Sequence, residues 1–299
     1  MKIDNYGIKA ILCAAIAAAS GTAFGLSNQT FVSATGNDTN PCTLAMPCLT
    51  INHALSVTNS GGEIVVATSG SYAPASLTQA VSLDTAGGVD ASIVASAAGA
   101  NAITVNTSGN VSINGLTLRG YATGNDGILV TQVGVLRLNN VTIQNFVADG
   151  IEFQAAGGQL GMYNSQSNNN GHDGLQVNAS GAKAYVEGSA FDRNGYAGGD
   201  SVDGKLTISD SNAHYNDVGF YANGGSVTLY NSRAIFNTTG FKVSASGHMH
   251  FANCLLSDNT KGWSVAAGGV LSGSDPGTTL IAPGQTPNSG VMSVPTTLK

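Results

Sequence analysis

From Leu136 onward the chain alternates apolar and polar residues over short runs, the period of a strand with one buried face. Leu136, Leu160, Ala184, Leu206, Val227 and Met249 stand four residues ahead of a recurring Asn, Gly or Asp. Leu138, Met162, Val186, Ile208, Leu229 and Phe251 stand two ahead of it. Beyond the recurring residue the parity reverses. One residue on come Val141, Ser165, Ser189, Ser211, Ser232 and Cys254; three on come Ile143, Ser167, Phe191, Ala213, Ala234 and Leu256. A parity reversal at a fixed Asn, Gly or Asp predicts a sharp bend, because those residue types tolerate the left-handed backbone a bend requires.

A third short run follows a glycine in each period. It reads Gly-Ile-Leu-Val from Gly127, Gly-Ile-Glu-Phe from Gly150 and Gly-Leu-Gln-Val from Gly174. It returns as Gly-Phe-Tyr-Ala from Gly219, Gly-Phe-Lys-Val from Gly240 and Gly-Trp-Ser-Val from Gly262. Each period therefore holds three short strands and three turns, with no room for a helix.

The columns are in register. Asn170, Asn194, Asn216, Asn237 and Asn259 are separated by 24, 22, 21 and 22 residues. Asn164, Gly188, Asp210, Asn231 and Asn253 run six residues earlier, and Gly174, Gly198, Gly219, Gly240 and Gly262 run just after. A repeat in which like residues stack on like predicts an all-β solenoid, one coil of a parallel β-helix per period. Successive coils should rise about 4.8 Å, so asparagine amides can bond from coil to coil. Each such bond contributes roughly 1 kcal/mol net, and a buried unpaired amide would cost more. The asparagines are therefore expected to be turn ladders rather than ligands.

Forty glycines and 9% charged residues suit a turn-dense all-β chain, and 42% hydrophobic content argues against disorder. A solenoid grows in one dimension, so 299 residues need not divide into several globular domains.

Residues 1–25 read as a secretory signal: Lys2 and Lys9, then an apolar run from Ala10 to Ala19 too short to span a bilayer. Residues 26–272 would form the solenoid and 273–299 a Gly/Pro/Thr-rich tail. Export to a secreted or periplasmic location makes a disulfide between Cys42 and Cys48 the expected pairing. Cys254 falls in an inward column and is expected to be a buried small side chain. Ile51, Ala54 and Leu55 lie on one helical face behind Thr50, which predicts a short capping helix over the first coil. Strands should begin at Glu63-Ile-Val-Val.

The run Phe31-Val-Ser-Ala-Thr-Gly-Asn-Asp-Thr-Asn-Pro-Cys, then Pro47-Cys-Leu-Thr-Ile-Asn-His-Ala-Leu, resembles the opening signature of exported bacterial right-handed parallel β-helix proteins. These belong to the pectate-lyase-like superfamily, and the likeness runs from Phe31 to Gly269. The resemblance implies a single-stranded right-handed parallel β-helix and export. Enzymes of the superfamily act on acidic polysaccharides as lyases, hydrolases or epimerases, but the fold hosts many functions.

A lyase of that kind implies grouped carboxylates for Ca²⁺ and a basic residue on an exposed sheet. Asp126, Asp149 and Asp173 each precede a column glycine and would stack on adjacent coils. They are the candidate catalytic or cation-binding column; the competing expectation is ordinary Asp-Gly turn chemistry with carboxylates splayed into water. His172, beside Asp173, is a further catalytic candidate, set against the expectation of a solvated turn residue. The segment Asp192 to Asp203 breaks the repeat and is expected to place Asp200 where Phe or Leu points inward elsewhere. On the outward side of the strand before the bend lie Arg137, Tyr163, Tyr185, Glu187, Tyr230 and His250, a candidate glycan-binding face.

Net charge of −6 with scattered lysines argues against a nucleic-acid partner. No phosphate loop, dinucleotide fingerprint, zinc signature or hydrolase elbow is present. The residues predict an exported solenoid that binds extracellular or envelope polysaccharide without a required cofactor, Ca²⁺ being the one optional ion. The alternatives are a polysaccharide lyase or glycoside hydrolase, and a surface adhesion or spacer protein.

Overall fold

A computed structural model of the chain describes residues 25–273, 280, 281, 292 and 293. The signal segment and most of the tail lie outside the described residues. Each coil contributes three strands, as in Ile128–Gln132, Val135–Asn139 and Thr142–Gln144. The third strands of successive coils form a ten-stranded sheet, and the first and second strands form one of nineteen strands. The first two series merge because Leu175–Glu187 and Ala197–Ser209 run unbroken through both. Pairing is parallel throughout, each strand bonding its counterparts in the coils before and after.

The register reproduces the sequence columns. On the first strands Ile128, Ile151, Leu175, Gly199, Phe220, Phe241 and Trp263 stack in one row. Their inward side chains belong to a single apolar core that runs from Val32 to Leu271. Burying a row of this kind contributes about 25 cal/mol for each Å² of apolar surface removed from water, and the contribution repeats with every coil.

The bend after the second strand is left-handed at each predicted position, with φ of 53° at Asn140, 47° at Asn164, 51° at Asp210, 47° at Asn231 and 52° at Asn253. The inward serines that follow are buried and bonded: Val141 N–H donates to Ser165 Oγ at 3.0 Å, and Ser165 N–H to Ser189 Oγ at 3.2 Å. The asparagine ladder is continuous. Asn170 Nδ2 donates to Asn194 Oδ1 at 3.1 Å, Asn216 Nδ2 to Asn237 Oδ1 at 3.2 Å and Asn237 Nδ2 to Asn259 Oδ1 at 3.0 Å. Each oxygen also accepts a backbone N–H from the coil before, as Asn237 Oδ1 does from Asn216.

At the amino end the helix Ile51–Ser56 buries Ile51, Ala54 and Leu55, with Thr50 Oγ1 accepting from His53 N–H at 3.2 Å. Asp38 fixes that cap by accepting from the N–H groups of Leu49 and Thr50 and from the Thr50 hydroxyl. Cys42 and Cys48 are disulfide-bonded, and Cys254 is a buried free thiol. Strands begin earlier than the expected Glu63: Ser27–Val32 pairs parallel with Thr58–Val66 and opens the solenoid.

Candidate functional site

The turn entering each first strand carries the acidic column. Asp126 N–H donates to Asn101 Oδ1 at 3.0 Å, Asp149 N–H to Asp126 Oδ1 at 3.1 Å and Asp173 N–H to Asp149 Oδ1 at 2.8 Å. Ala197 N–H completes the row by donating to Asp173 Oδ1 at 2.8 Å. Each carboxylate thus replaces solvent for the amide of the next coil. Glycine must follow because the coils touch here: a Cβ at Gly150 would lie 1.8 Å from Ser167 Oγ and 2.7 Å from the Gly174 carbonyl oxygen.

The expectation that these carboxylates splay into water is overturned. Asp126 is 1% exposed, Asp149 6% and Asp173 0%. The stacked coils enclose the turn, and the next coil's backbone draws each carboxylate inward. Burial raises Asp126 and Asp149 to about 6, with repulsion from Glu152 and Asp149 adding for Asp126 and from Asp173 for Asp149.

His172 also departs from expectation. It is half exposed yet not merely solvated, because Nδ1 lies 2.9 Å from Asp149 Oδ1 and 3.2 Å from Asp173 Oδ2. The hydrogen bond to Asp173 and the charges of both carboxylates raise it to about 9, against the opposing effect of burial. The imidazole is therefore a cation at neutral pH. Its ring stacks on Tyr196, centroids 5.1 Å apart and planes within 17°.

Asp200 does not point inward. The register aligns it with Gln176 and Tyr221, on the outward side, and Gly199 takes the inward place. The doubled glycine Gly198-Gly199 shifts the motif by one residue relative to the sequence reading. Asp200 is nonetheless 1% exposed, and its Oδ1 has no hydrogen-bond partner, while Oδ2 accepts from Asn223 Nδ2 at 3.4 Å. Burial, then the charge of Asp173, raises it to about 8. Two strands along the same row, Lys242 Nζ donates to Tyr196 Oη at 3.2 Å and sits 5.2 Å and 4.7 Å from the ring centroids of Tyr196 and Tyr221.

Asp126, Asp149, Asp173 and His172 are thus brought together as one cluster on the outer face of the first strands. Glu152, Gln176, Asp200, Tyr221 and Lys242 continue it in a single register row. Glu152, Tyr221 and Lys242 are not among the expected site residues, although each is the third residue of a Gly-x-x-x run, the outward position of its strand. Tyr196 gave no periodic signal.

Ligand oxygens of Asp126, Asp149 and Glu152 lie within 4.8 Å of one another, as do the ligand atoms of Asp149, His172 and Asp173. The first set, three carboxylates with two buried and repelling, is a hard-oxygen donor set of the kind Ca²⁺ takes.

The other sequence candidates occupy a different face. Arg137, Tyr185 and His250 share one outward row of the second strands; Tyr163, Glu187 and Tyr230 share the neighbouring row. Tyr163 and Tyr185 are 6.1 Å apart, and Tyr185 Oη donates to Glu187 Oε2 at 3.4 Å. Among the described residues no hydrogen bond, ion pair or ring contact links this group to the carboxylate cluster. No helix among them is long and apolar enough to cross a membrane.

Similar solved structures show the same fold. An alginate lyase from Paenibacillus matches with a TM-score of 0.69 at 16% identity, over 89% of this chain and 99% of that one. A pectate lyase matches with a TM-score of 0.61 at 15% identity, over 88% and 82%. A rhamnogalacturonan lyase matches with a TM-score of 0.55 at 13% identity, over 89% and 84%. No curated protein sequence matches the chain. The family described as the right handed beta helix region matches residues 101–280, and with the parallel solenoid seen here this chain belongs to that family.

Proposed function

We propose that this protein cleaves a polysaccharide by acid–base chemistry on the outer face of its first strands. One observation carries the reading: a half-exposed imidazole, His172, held by two buried carboxylates and stacked on Tyr196. Breaking a glycosidic linkage requires a proton for the departing oxygen. It also requires a base for the proton released by the attacking water or, in elimination, by the sugar carbon. Glu152, on the outward row of the same face, is the carboxylate that takes it. His172 stays protonated to about 9 and is half exposed, so it supplies the proton for the departing oxygen. Asp149 and Asp173 fix its orientation and charge. Tyr196 and Lys242 border the same face and position the sugar.

The similar lyases are named for alginate, pectate and rhamnogalacturonan, which supports a polysaccharide substrate. Asp126, Asp149 and Glu152 would hold a Ca²⁺ ion if one is used. That ion would neutralise a substrate carboxylate.

A second reading, glycan binding without cleavage, draws on Tyr185 and Tyr230, exposed by 41% and 56% on the second-strand face.

The test is to incubate the purified protein with acidic and neutral polysaccharides, with and without Ca²⁺, and to assay new chain ends. New reducing ends or unsaturated uronides support cleavage. Intact polymer that co-sediments with the protein, through an interaction lost in Tyr185→Ala, replaces it with the binding reading.

A further inference from the structure

The turn after each third strand has a left-handed residue at a fixed place. Asn145 and Asn169 fill it with φ of 63° and 57°, the conformation asparagine adopts readily. The next three coils put Arg193, Tyr215 and Phe236 there, with φ of 57°, 61° and 60°. The backbone pairing is unchanged, since Arg193 N–H bonds His214 O, Tyr215 N–H bonds Ile235 O and Phe236 N–H bonds Ser257 O. The fold is thus satisfied by asparagine at this position, and bulky rings there add strain.

The rings are not hidden in exchange for that strain. Tyr215 is 52% exposed and Phe236 49%. They stack on each other, centroids 5.1 Å apart and planes within 10°, and Arg193 covers Tyr215 at 5.1 Å. The far side of Phe236 has no ring or cation neighbour among the described residues; the next residue in the column is the short Asp258. The pair forms one wall of an open groove of about 560 Å³, whose other walls include Asp217, Thr238, Asp258 and Thr260.

We infer that this groove is a sugar-binding subsite that takes an uncharged pyranose unit of a glycan, packed against the Tyr215–Phe236 stack. The chemistry matches a sugar ring: aromatic carbon for its C–H face, and carboxylate, hydroxyl and amide groups for its hydroxyls. The charge selects against a uronate, because Asp217 and Asp258 flank the space. The groove also adjoins the first-strand site: Gly195 lines it and precedes Tyr196. The inference rests on the polysaccharide reading only for the length of polymer engaged; binding here requires no cleavage.

Affinity electrophoresis of the purified chain through gels holding unsubstituted β-glucan, galactan, alginate or polygalacturonate tests it. Retardation is expected in at least one neutral gel. Phe236→Asn should weaken that interaction about tenfold while thermal stability stays level or rises, since asparagine serves the same turn upstream. Retardation in a neutral gel without release of new chain ends from any polymer leaves this inference standing while the cleavage proposal fails, which separates the two. Retardation confined to the acidic polymers, or none at all, overturns it. So does wild-type retardation of Phe236→Asn, or a fall in its melting temperature that assigns the stack to stability alone.

Discussion

One oxygen of Asp149 serves two donors: His172 Nδ1 at 2.9 Å and the Asp173 backbone N–H at 2.8 Å. The first bond belongs to the candidate chemistry and the second to the solenoid. The same carboxylate therefore ties the charge of His172 to the stacking of its coils, and the two roles separate by mutation. Asp149→Asn keeps an acceptor for Asp173 N–H but removes the charge, so His172 should titrate below about 9 with the fold intact, as NMR would read, while the larger effect of Asp173 keeps it raised. Asp149→Ala removes both, leaves a buried N–H unpaired and should cost about 1–3 kcal/mol in denaturant unfolding.

The raised groups predict how stability varies with pH. Folded Asp200 holds its proton up to about 8, whereas the unfolded residue releases it near 3.8. Between those values the unfolded chain binds fewer protons, so stability falls as pH rises. Asp126 and Asp149 act the same way from 3.8 to about 6, and His172 from 6.5 to about 9. Asp38 has the opposite sign: burial pushes it up, but bonds from Thr50 and Leu49 outweigh that, so its contribution is lost only in stronger acid. The melting temperature should therefore decline steadily from mild acid to mild alkali. Asp200→Asn should flatten the decline and be more stable than wild type near neutrality.

The asparagine ladder should be expensive to interrupt. Asn216 donates to Phe191 O at 2.9 Å and to Asn237 Oδ1, and it accepts from Asn194 N–H at 2.8 Å. Asn216→Ala strands buried partners on both neighbouring coils and should cost about 2–4 kcal/mol. Asn231→Gly, which tolerates the left-handed backbone of the exposed bend ladder, should cost less than half of that, since water replaces its partners. Parallel urea titrations of the two variants test the difference.

The architecture was legible because a solenoid writes its geometry into one period. The parity reversal marked the bend, the asparagines marked the ladder, and Thr50 marked the cap. The candidate site was legible in part. The Asp126, Asp149 and Asp173 column was found by its place before the column glycines, and His172 by its place beside Asp173. Their burial was not, because enclosure of a turn depends on the coils above and below it rather than on its own Asp-Gly chemistry. Asp200 was misplaced because Gly198-Gly199 offers two choices for the start of the strand. Tyr196 and Lys242 meet across 46 residues, with no shared column to announce them.

The proposed chemistry predicts a particular pH profile. Cleavage should fall as His172 loses its proton near about 9, a limb that His172→Gln abolishes along with roughly a hundredfold of the rate or more. The most direct measurement is the release of new polysaccharide ends by wild type and His172→Gln side by side, on the polymer panel with and without Ca²⁺. Cleavage of at least one polymer by wild type and almost none by the variant is expected. Intact polymer throughout, or equal cleavage by both proteins, would rule out His172 as the proton donor.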